Sequence, residues 1–148
     1  VSRPETPAEI RLAHQLALGI MRTFADMGEG ALTEVTLANG RRADVLALDG
    51  RGYLTIVEIK SGPVDFKTDR KWRAYLEFCD SFYFAVAEGF PVELLPNDTG
   101  LMIADRWNAH IVRTAQVEPL SAARRKAMLL RFGLLASNRL RLLVDPPL

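Results

Sequence analysis

Arg42-Ala43-Asp44-Val45-Leu46-Ala47-Leu48 and Tyr53-Leu54-Thr55-Ile56-Val57-Glu58-Ile59-Lys60, separated by Asp49-Gly50-Arg51-Gly52, decide how this chain folds. Two apolar runs around a glycine-rich turn predict a β-hairpin. Side chains alternate across a strand, so Leu54, Ile56, Glu58 and Lys60 share one face while Tyr53, Thr55, Val57 and Ile59 share the other. Both faces are largely apolar, which predicts a central strand. Two ionised groups at the end of a buried strand cost stability unless they are paired or bind something charged.

The hairpin register decides whether Asp44 joins them. A Gly50-Arg51-Gly52 loop, or the longer Asp49 to Tyr53, sets Asp44 opposite Glu58 and points both carboxylates to one face. A two-residue Gly50-Arg51 loop pairs Asp44 with Val57 and sends the carboxylates to opposite faces. The glycines suit the three-residue form, which needs a positive-φ residue. Two carboxylates and an ammonium are therefore expected to converge at a strand end.

Carboxylate oxygens are hard ligands for Mg²⁺ or Mn²⁺, ions that keep several waters and bind phosphate oxygens well. Such an ion lowers the pKa of its water and neutralises charge building on a phosphodiester, and a nearby lysine orients the nucleophile. Metal-dependent phosphodiester cleavage follows as one reading. A salt-bridged Asp/Glu/Lys cluster without chemistry stands beside it on spacing alone, because Glu-x-Lys is a common tripeptide.

Asp44, a glycine-containing turn, then Glu58-Ile59-Lys60 ending an apolar strand before a helix, resembles the PD-(D/E)XK nuclease superfamily. More narrowly, Arg41-Arg42-Ala43-Asp44, Val57-Glu58-Ile59-Lys60-Ser61, Asp69-Arg70-Lys71-Trp72 and Tyr75-Leu76-Glu77-Phe78-Cys79-Asp80 resemble the MmcB-like family of DNA-repair endonucleases. The similarity is most specific from about Thr33 to Val86. It departs from the superfamily pattern where Ala43 replaces the proline that names the motif. The resemblance implies a restriction-endonuclease-like α/β fold and a Mg²⁺ or Mn²⁺ site. Asp44 and Glu58 would be metal ligands, the Ile59 carbonyl a further one, and Lys60 would position or activate water. Glu34, on the preceding strand, would be an auxiliary acid; an exposed strand glutamate is the equally open plain reading.

The remaining composition fits one globular domain over residues 1–148. At 148 residues and 49% hydrophobic content the chain is long enough for a substantial core. No apolar run approaches the roughly 18 residues of a membrane span, and the opening residues lack a basic-then-apolar signal pattern. The single cysteine, Cys79, precludes an intrachain disulfide and suits a cytoplasmic location. Residues 1–117 carry 13 Lys/Arg against 16 Asp/Glu, whereas residues 118–148 carry 6 against 2. A basic C-terminal segment is one mark of a nucleic-acid-facing surface, and a solvated helix face is the plainer one.

Thr6-Pro7-Ala8-Glu9 reads as a capping box with proline at the first helical position. Ile10, Ala13, Ala17, Ile20 and Phe24 then give a helical stripe for the sheet, ended by Gly28 and Gly30. Ala31 to Leu37 is a first strand, turned antiparallel into the Asp44 strand by Asn39-Gly40. After Ser61-Gly62-Pro63, Asp65 or Thr68 caps a helix to about Cys79, which places Lys67 and Lys71 near the proposed metal as phosphate contacts. Trp72, Tyr75, Leu76 and Cys79 form its packing face, yet Trp72 and Tyr75 also offer rings for stacking a base. Ser81 to Ala87 reads as a doubly buried strand, parallel to the Glu58 strand.

Pro91 to Leu95 suggests a short helical turn, and Leu101 to Ala104 with Ala109 to Val112 a second hairpin. The last helix is expected from Ser121 to about Phe132, with Leu120, Ala123, Ala127 and Leu130 inward and Arg124, Arg125 and Lys126 lining the outside for nucleic acid. The order is α-β-β-β-α-β, then a hairpin and a C-terminal helix. The favoured function is a metal-dependent DNA endonuclease in repair. An inactive nuclease-fold module that binds DNA or recruits a repair partner is the alternative, and a ribonuclease or branched-DNA resolvase differs only in substrate. A homodimer is compatible with any of these.

Overall fold

The computed structural model describes residues 4–62 and 71–148. Helix α1 (Pro7–Asp26) leads into strands β1 (Gly30–Thr36), β2 (Arg42–Leu48) and β3 (Leu54–Ile59). A 3-10 helix (Lys71–Phe78) precedes β4 (Ser81–Val86), and a single 3-10 turn (Val92–Leu94) precedes β5 (Gly100–Ala104), β6 (Ala109–Arg113) and helix α2 (Ala122–Val144). All six strands form one mixed sheet in the order β1-β2-β3-β4-β5-β6. β3 runs parallel to β4 and β4 to β5; the other neighbours are antiparallel.

Both early hairpins turn by the same device. Gly40 (φ 84°) and Gly52 (φ 89°) close three-residue loops in the left-handed region that a side chain disfavours. The backbone N–H of Leu37 donates to the Arg41 carbonyl at 2.7 Å, and that of Asp49 to the Tyr53 carbonyl at 3.0 Å. Asp49 Oδ1 also accepts from the Arg51 and Tyr53 amides at 2.8 and 2.9 Å, which locks the second turn. That turn sets the register Val45↔Val57, Leu46↔Ile56, Ala47↔Thr55.

The sheet buries both faces. Leu54 and Ile56 join Trp72, Tyr75, Phe78, Phe82, Phe84 and Met128 on the side of the 3-10 helix and α2. Val45, Val57, Ile59 and Ala85 join Leu16, Ile20 and Phe24 on the side of α1. Each large side chain so removed from water contributes roughly 1.5–3 kcal/mol. The Thr6/Glu9 capping box forms as expected, with the Glu9 amide 3.2 Å from Thr6 Oγ1 and the Thr6 amide 2.8 Å from Glu9 Oε2. The inward stripe of α1 is Leu16, Gly19, Ile20 and Phe24, flanked by Ala13 and Ala17, while Ile10 stays exposed in the first turn, before the helix reaches the sheet.

Three expectations need correction. The segment after β3 is a 3-10 helix from Lys71 rather than an α-helix; the expected caps Asp65 and Thr68, with Lys67, Asp69 and Arg70, lie outside the described residues. Helix α2 runs to Val144, beyond Phe132. Gly133 costs about 1 kcal/mol in a helix interior, and packing of Phe132 and Leu135 on the core outweighs it. Its inward face is Met128, Leu129, Phe132 and Leu135, so Ala123, Ala127 and Leu130, expected inside, are exposed. Among the described residues no helix is long and apolar enough to cross a membrane.

Candidate active site

The register of β2 against β3, continued one pair beyond Val45↔Val57, sets Asp44 opposite Glu58. Glu58 alternates with Leu54 and Ile56, so its carboxylate lies on the side of the 3-10 helix. Asp44 Oδ2 accepts the Ile59 amide at 2.7 Å, filling the place of the ladder bond where the two strands part. Asp44, Glu58 and Lys60 are all half-buried, neither sealed off nor fully solvated. The Lys60 amide donates to the Ala85 carbonyl at 2.9 Å. Its ammonium lies 5.9 Å from the Phe84 ring centroid, which puts it on the same face as Glu58.

Electrostatics follow from this crowding. Burial first, then hydrogen bonding to Asp44 and the charge of Asp44, push the Glu58 carboxyl well above its usual range, while Lys60 and Tyr75 pull it back. Two acids in a poorly hydrated corner resist double ionisation. A cation, or a proton on Glu58, relieves them.

Tyr75 completes the corner from the 3-10 helix. Its ring is buried and stacks on Phe82 with centroids 5.9 Å apart and planes 13° apart. Its hydroxyl donates to the Arg42 carbonyl at 3.0 Å and lies within hydrogen-bonding reach of Glu58. Burial, then the Glu58 charge, raises the phenol far above the ordinary tyrosine value, so it remains a neutral donor. The expectation that Tyr75 stacks a nucleobase is therefore corrected: both ring faces belong to the core, and only the oxygen reaches the site. Trp72 is core as well, 5.6 Å from Phe82. Lys71 is exposed at the start of the same helix.

Glu34 on β1 lies opposite Asp44 on β2, between the pairs Thr33↔Val45 and Val35↔Ala43. Its φ of 51° is a strained backbone for a residue with a side chain. Its carboxylate is exposed and 4.0 Å from Arg42. Arg139 of α2 donates to the carbonyls of Thr33 and Glu34 at 2.6 and 2.9 Å, and Arg131 to that of Thr36 at 2.9 Å. These guanidiniums cover the outer carbonyls of edge strand β1, where unpaired groups invite another strand.

The expected outward basic row also needs correction. Arg125 turns inward, its Nη1 2.8 Å from Asp80 Oδ2 and its Nη2 2.6 Å from Asp80 Oδ1, with Nη1 also 2.7 Å from the Gly52 carbonyl. Arg124 lies 4.5 Å over the Phe78 ring. Lys126 alone of the three points to solvent. Sequence reasoning missed Asp80, a buried acid at the opposite end of the β3/β4 pair. The available signal was an aspartate directly before an apolar strand, with one internal cation to match it.

Among the described residues no group of three or more His, Cys, Asp or Glu side chains is arranged for a metal ion. Asp44 and Glu58, side by side, are a sparse oxygen pair. It fits an ion that retains waters and takes phosphate oxygens, and not one needing an all-protein cage.

Fold and site thus define a mixed α/β protein with a six-stranded mixed sheet flanked by helices, carrying paired carboxylates and a lysine at the ends of adjacent strands. The family model for DNA repair protein MmcB-like matches residues 5–147, so the chain belongs to the MmcB-like family. The SPO1766 protein of unknown function from Silicibacter pomeroyi has a similar structure, with TM-score 0.86 and 40% identity over 97% of this chain and 95% of that one. No curated protein matches the chain.

Proposed function

We propose that this protein is a metal-dependent DNA endonuclease with a restriction-endonuclease-like PD-(D/E)XK core, acting in DNA repair. The pairing of Asp44 with Glu58 beside Lys60 carries the reading. The family description supplies the repair context.

The side chains divide the work. Asp44 is oriented by the Ile59 amide through Oδ2, and its other oxygen would take the cation. Glu58 lies beside Asp44, and the burial and neighbouring Asp44 carboxylate that raise its pKa are what a divalent ion would offset. Bound Mg²⁺ or Mn²⁺ would supply an acidified water and neutralise charge on the scissile phosphate. Lys60 holds the nucleophile or balances the same charge from the side. Lys71 and Lys126 are exposed cations suited to phosphate contact, and Glu34, exposed on the adjoining strand, would assist through water.

A second reading is an inactive member of the same fold that binds DNA or a repair partner. The raised Glu58 pKa favours it to this extent: a protonated Glu58 beside Asp44 is a stable state without metal. Incubating supercoiled, branched and single-stranded DNA with Mg²⁺ or Mn²⁺ separates the two. Metal-dependent nicking by wild type, lost in Asp44→Ala and Lys60→Ala at unchanged melting temperature, is expected. No cleavage of any substrate by wild type favours the inactive module.

A further inference from the structure

The large aromatic side chain available to a ligand is not on the 3-10 helix but in the β5/β6 turn. Trp107 is 59% exposed, whereas Trp72 is 8% exposed. An exposed tryptophan wastes a large apolar surface unless something covers it. The guanidiniums of Arg22 of α1 and Arg106 stand over its ring, 5.5 and 5.2 Å from the centroid, so a base reaching the ring would stack beside them or in place of one. Aromatic surface flanked by guanidiniums is the composition of sites that stack a base and hold its phosphate.

The turn presents the ring on a fixed mount. Asp105 Oδ1 accepts from the Trp107 and Asn108 amides at 2.7 and 2.9 Å, and the Asp105 amide donates to the Asn108 carbonyl at 2.9 Å. Thr23 of α1 clamps the hairpin, its Oγ1 accepting the Ala109 amide at 2.8 Å. Gly19 lets α1 approach closely, since any Cβ there would collide with the Asp105 carbonyl. A preorganised platform loses little entropy on binding.

Position links the platform to the candidate active site. β3, β4 and β5 are parallel, so Glu58 to Lys60 and the β5/β6 turn leave the same end of the sheet, two strands apart. At about 4.8 Å per strand that is a lateral offset of about 10 Å. The carboxylate corner faces the 3-10 helix and the turn packs on α1, so a single strand occupying the corner would pass over the end of the sheet from one side to the other to set a base on Trp107.

We propose that Trp107, with Arg22 and Arg106, is a stacking platform for an unpaired base of a nucleic acid strand that extends from the Asp44/Glu58 corner. This rests on the nuclease reading for the occupant of that corner, while its own test needs binding alone. Duplex DNA keeps its bases stacked and offers no ring to Trp107, so the platform selects single-stranded or gapped substrate.

The test is a fluorescence titration of the full chain with a twelve-residue oligothymidylate, a matched duplex and an oligouridylate, without metal. Trp107 is the exposed member of the two tryptophans, so quenching by the single strand is expected, and a Trp107→Phe variant should lose the quench while retaining most of the affinity. Trp107→Ala should weaken oligothymidylate binding about tenfold or more, the loss expected for one stacked base, and leave duplex binding within twofold. The thymidylate and uridylate arms separate DNA from RNA as the source of the base. Binding without quenching, or equal affinities for wild type and Trp107→Ala, would overturn the platform and leave the nuclease reading intact. Quenched binding without cleavage in the nicking assay would do the reverse.

Discussion

Arg125 holds Asp80 with two parallel hydrogen bonds, 2.8 Å to one carboxylate oxygen and 2.6 Å to the other, joining α2 to the start of β4. The same carboxylate accepts the Leu54 amide at 2.7 Å and the Leu120 amide at 2.9 Å. Burial opposes its ionisation, but Arg125 and the two amides outweigh that and keep the Asp80 carboxyl below the ordinary range. Removing one partner from a buried pair strands the other charge. Arg125→Ala should cost about 3 kcal/mol in chemical denaturation, while Lys126→Ala should stay within about 0.5 kcal/mol. Because the native Asp80 pKa is depressed, its contribution is present above the unfolded pKa and is lost as pH falls through the native value.

Glu58 works with the opposite sign. Its native pKa is raised, so the folded state holds the proton more tightly than the unfolded chain. The associated stability is complete below the unfolded pKa and is lost as pH rises through the native value. Glu58→Gln, neutral at every pH, should therefore melt higher than wild type at pH 7.5 without metal, and the difference should shrink at pH 4.5. Thermal melts at the two pH values read this directly.

Gly19→Ala reverses the usual helix rule. Alanine is favoured over glycine in a helix interior by about 1 kcal/mol. Here the added carbon would strike the Asp105 carbonyl and come within 2.9 Å of the Asn108 carbonyl. The variant should be destabilised by about 2 kcal/mol, with α1 and the β5/β6 turn pushed apart. A rise in melting temperature would contradict the packing described.

Tyr75→Phe removes one oxygen from the site and leaves the ring stacked on Phe82. Groups that orient a metal ligand are worth about 10–100-fold in metal affinity. A Mn²⁺ dissociation constant raised about tenfold, with the melting temperature changed by only a few degrees, is expected from Mn²⁺ electron paramagnetic resonance titration. Cys79→Ala, one turn along the same segment, should lower stability without changing Mn²⁺ affinity.

Much of the fold is legible in the residues because each deciding signal is local. The Asp49 to Tyr53 turn needs a left-handed glycine, Gly52 supplies it, and that sets Asp44 against Glu58. The unbroken apolar run at Ser81–Val86 and the Thr6/Glu9 capping box are likewise written within a few positions. What was not legible depends on partners far apart in sequence. Arg124, Arg125 and Lys126 look alike on paper, yet Arg125 is claimed by an acid 45 residues earlier. Periodicity alone placed Ala127 and Leu130 inward, because a helix with apolar residues on two sides does not say which side meets the sheet. Tyr75 is covered for the same reason: its ring stacks on Phe82 of a neighbouring strand, a partner the residues around it in the chain do not show.

The account stands on a divalent cation bridging Asp44 and Glu58. Calorimetric titration of Mn²⁺ into the wild-type chain, Asp44→Asn and Glu58→Gln measures this most directly. A saturable site in wild type that either substitution abolishes, with binding that strengthens as pH rises and the Glu58 proton leaves, is the predicted result. No heat from wild type at any pH between 6 and 8.5, or equal binding by all three proteins, would contradict it.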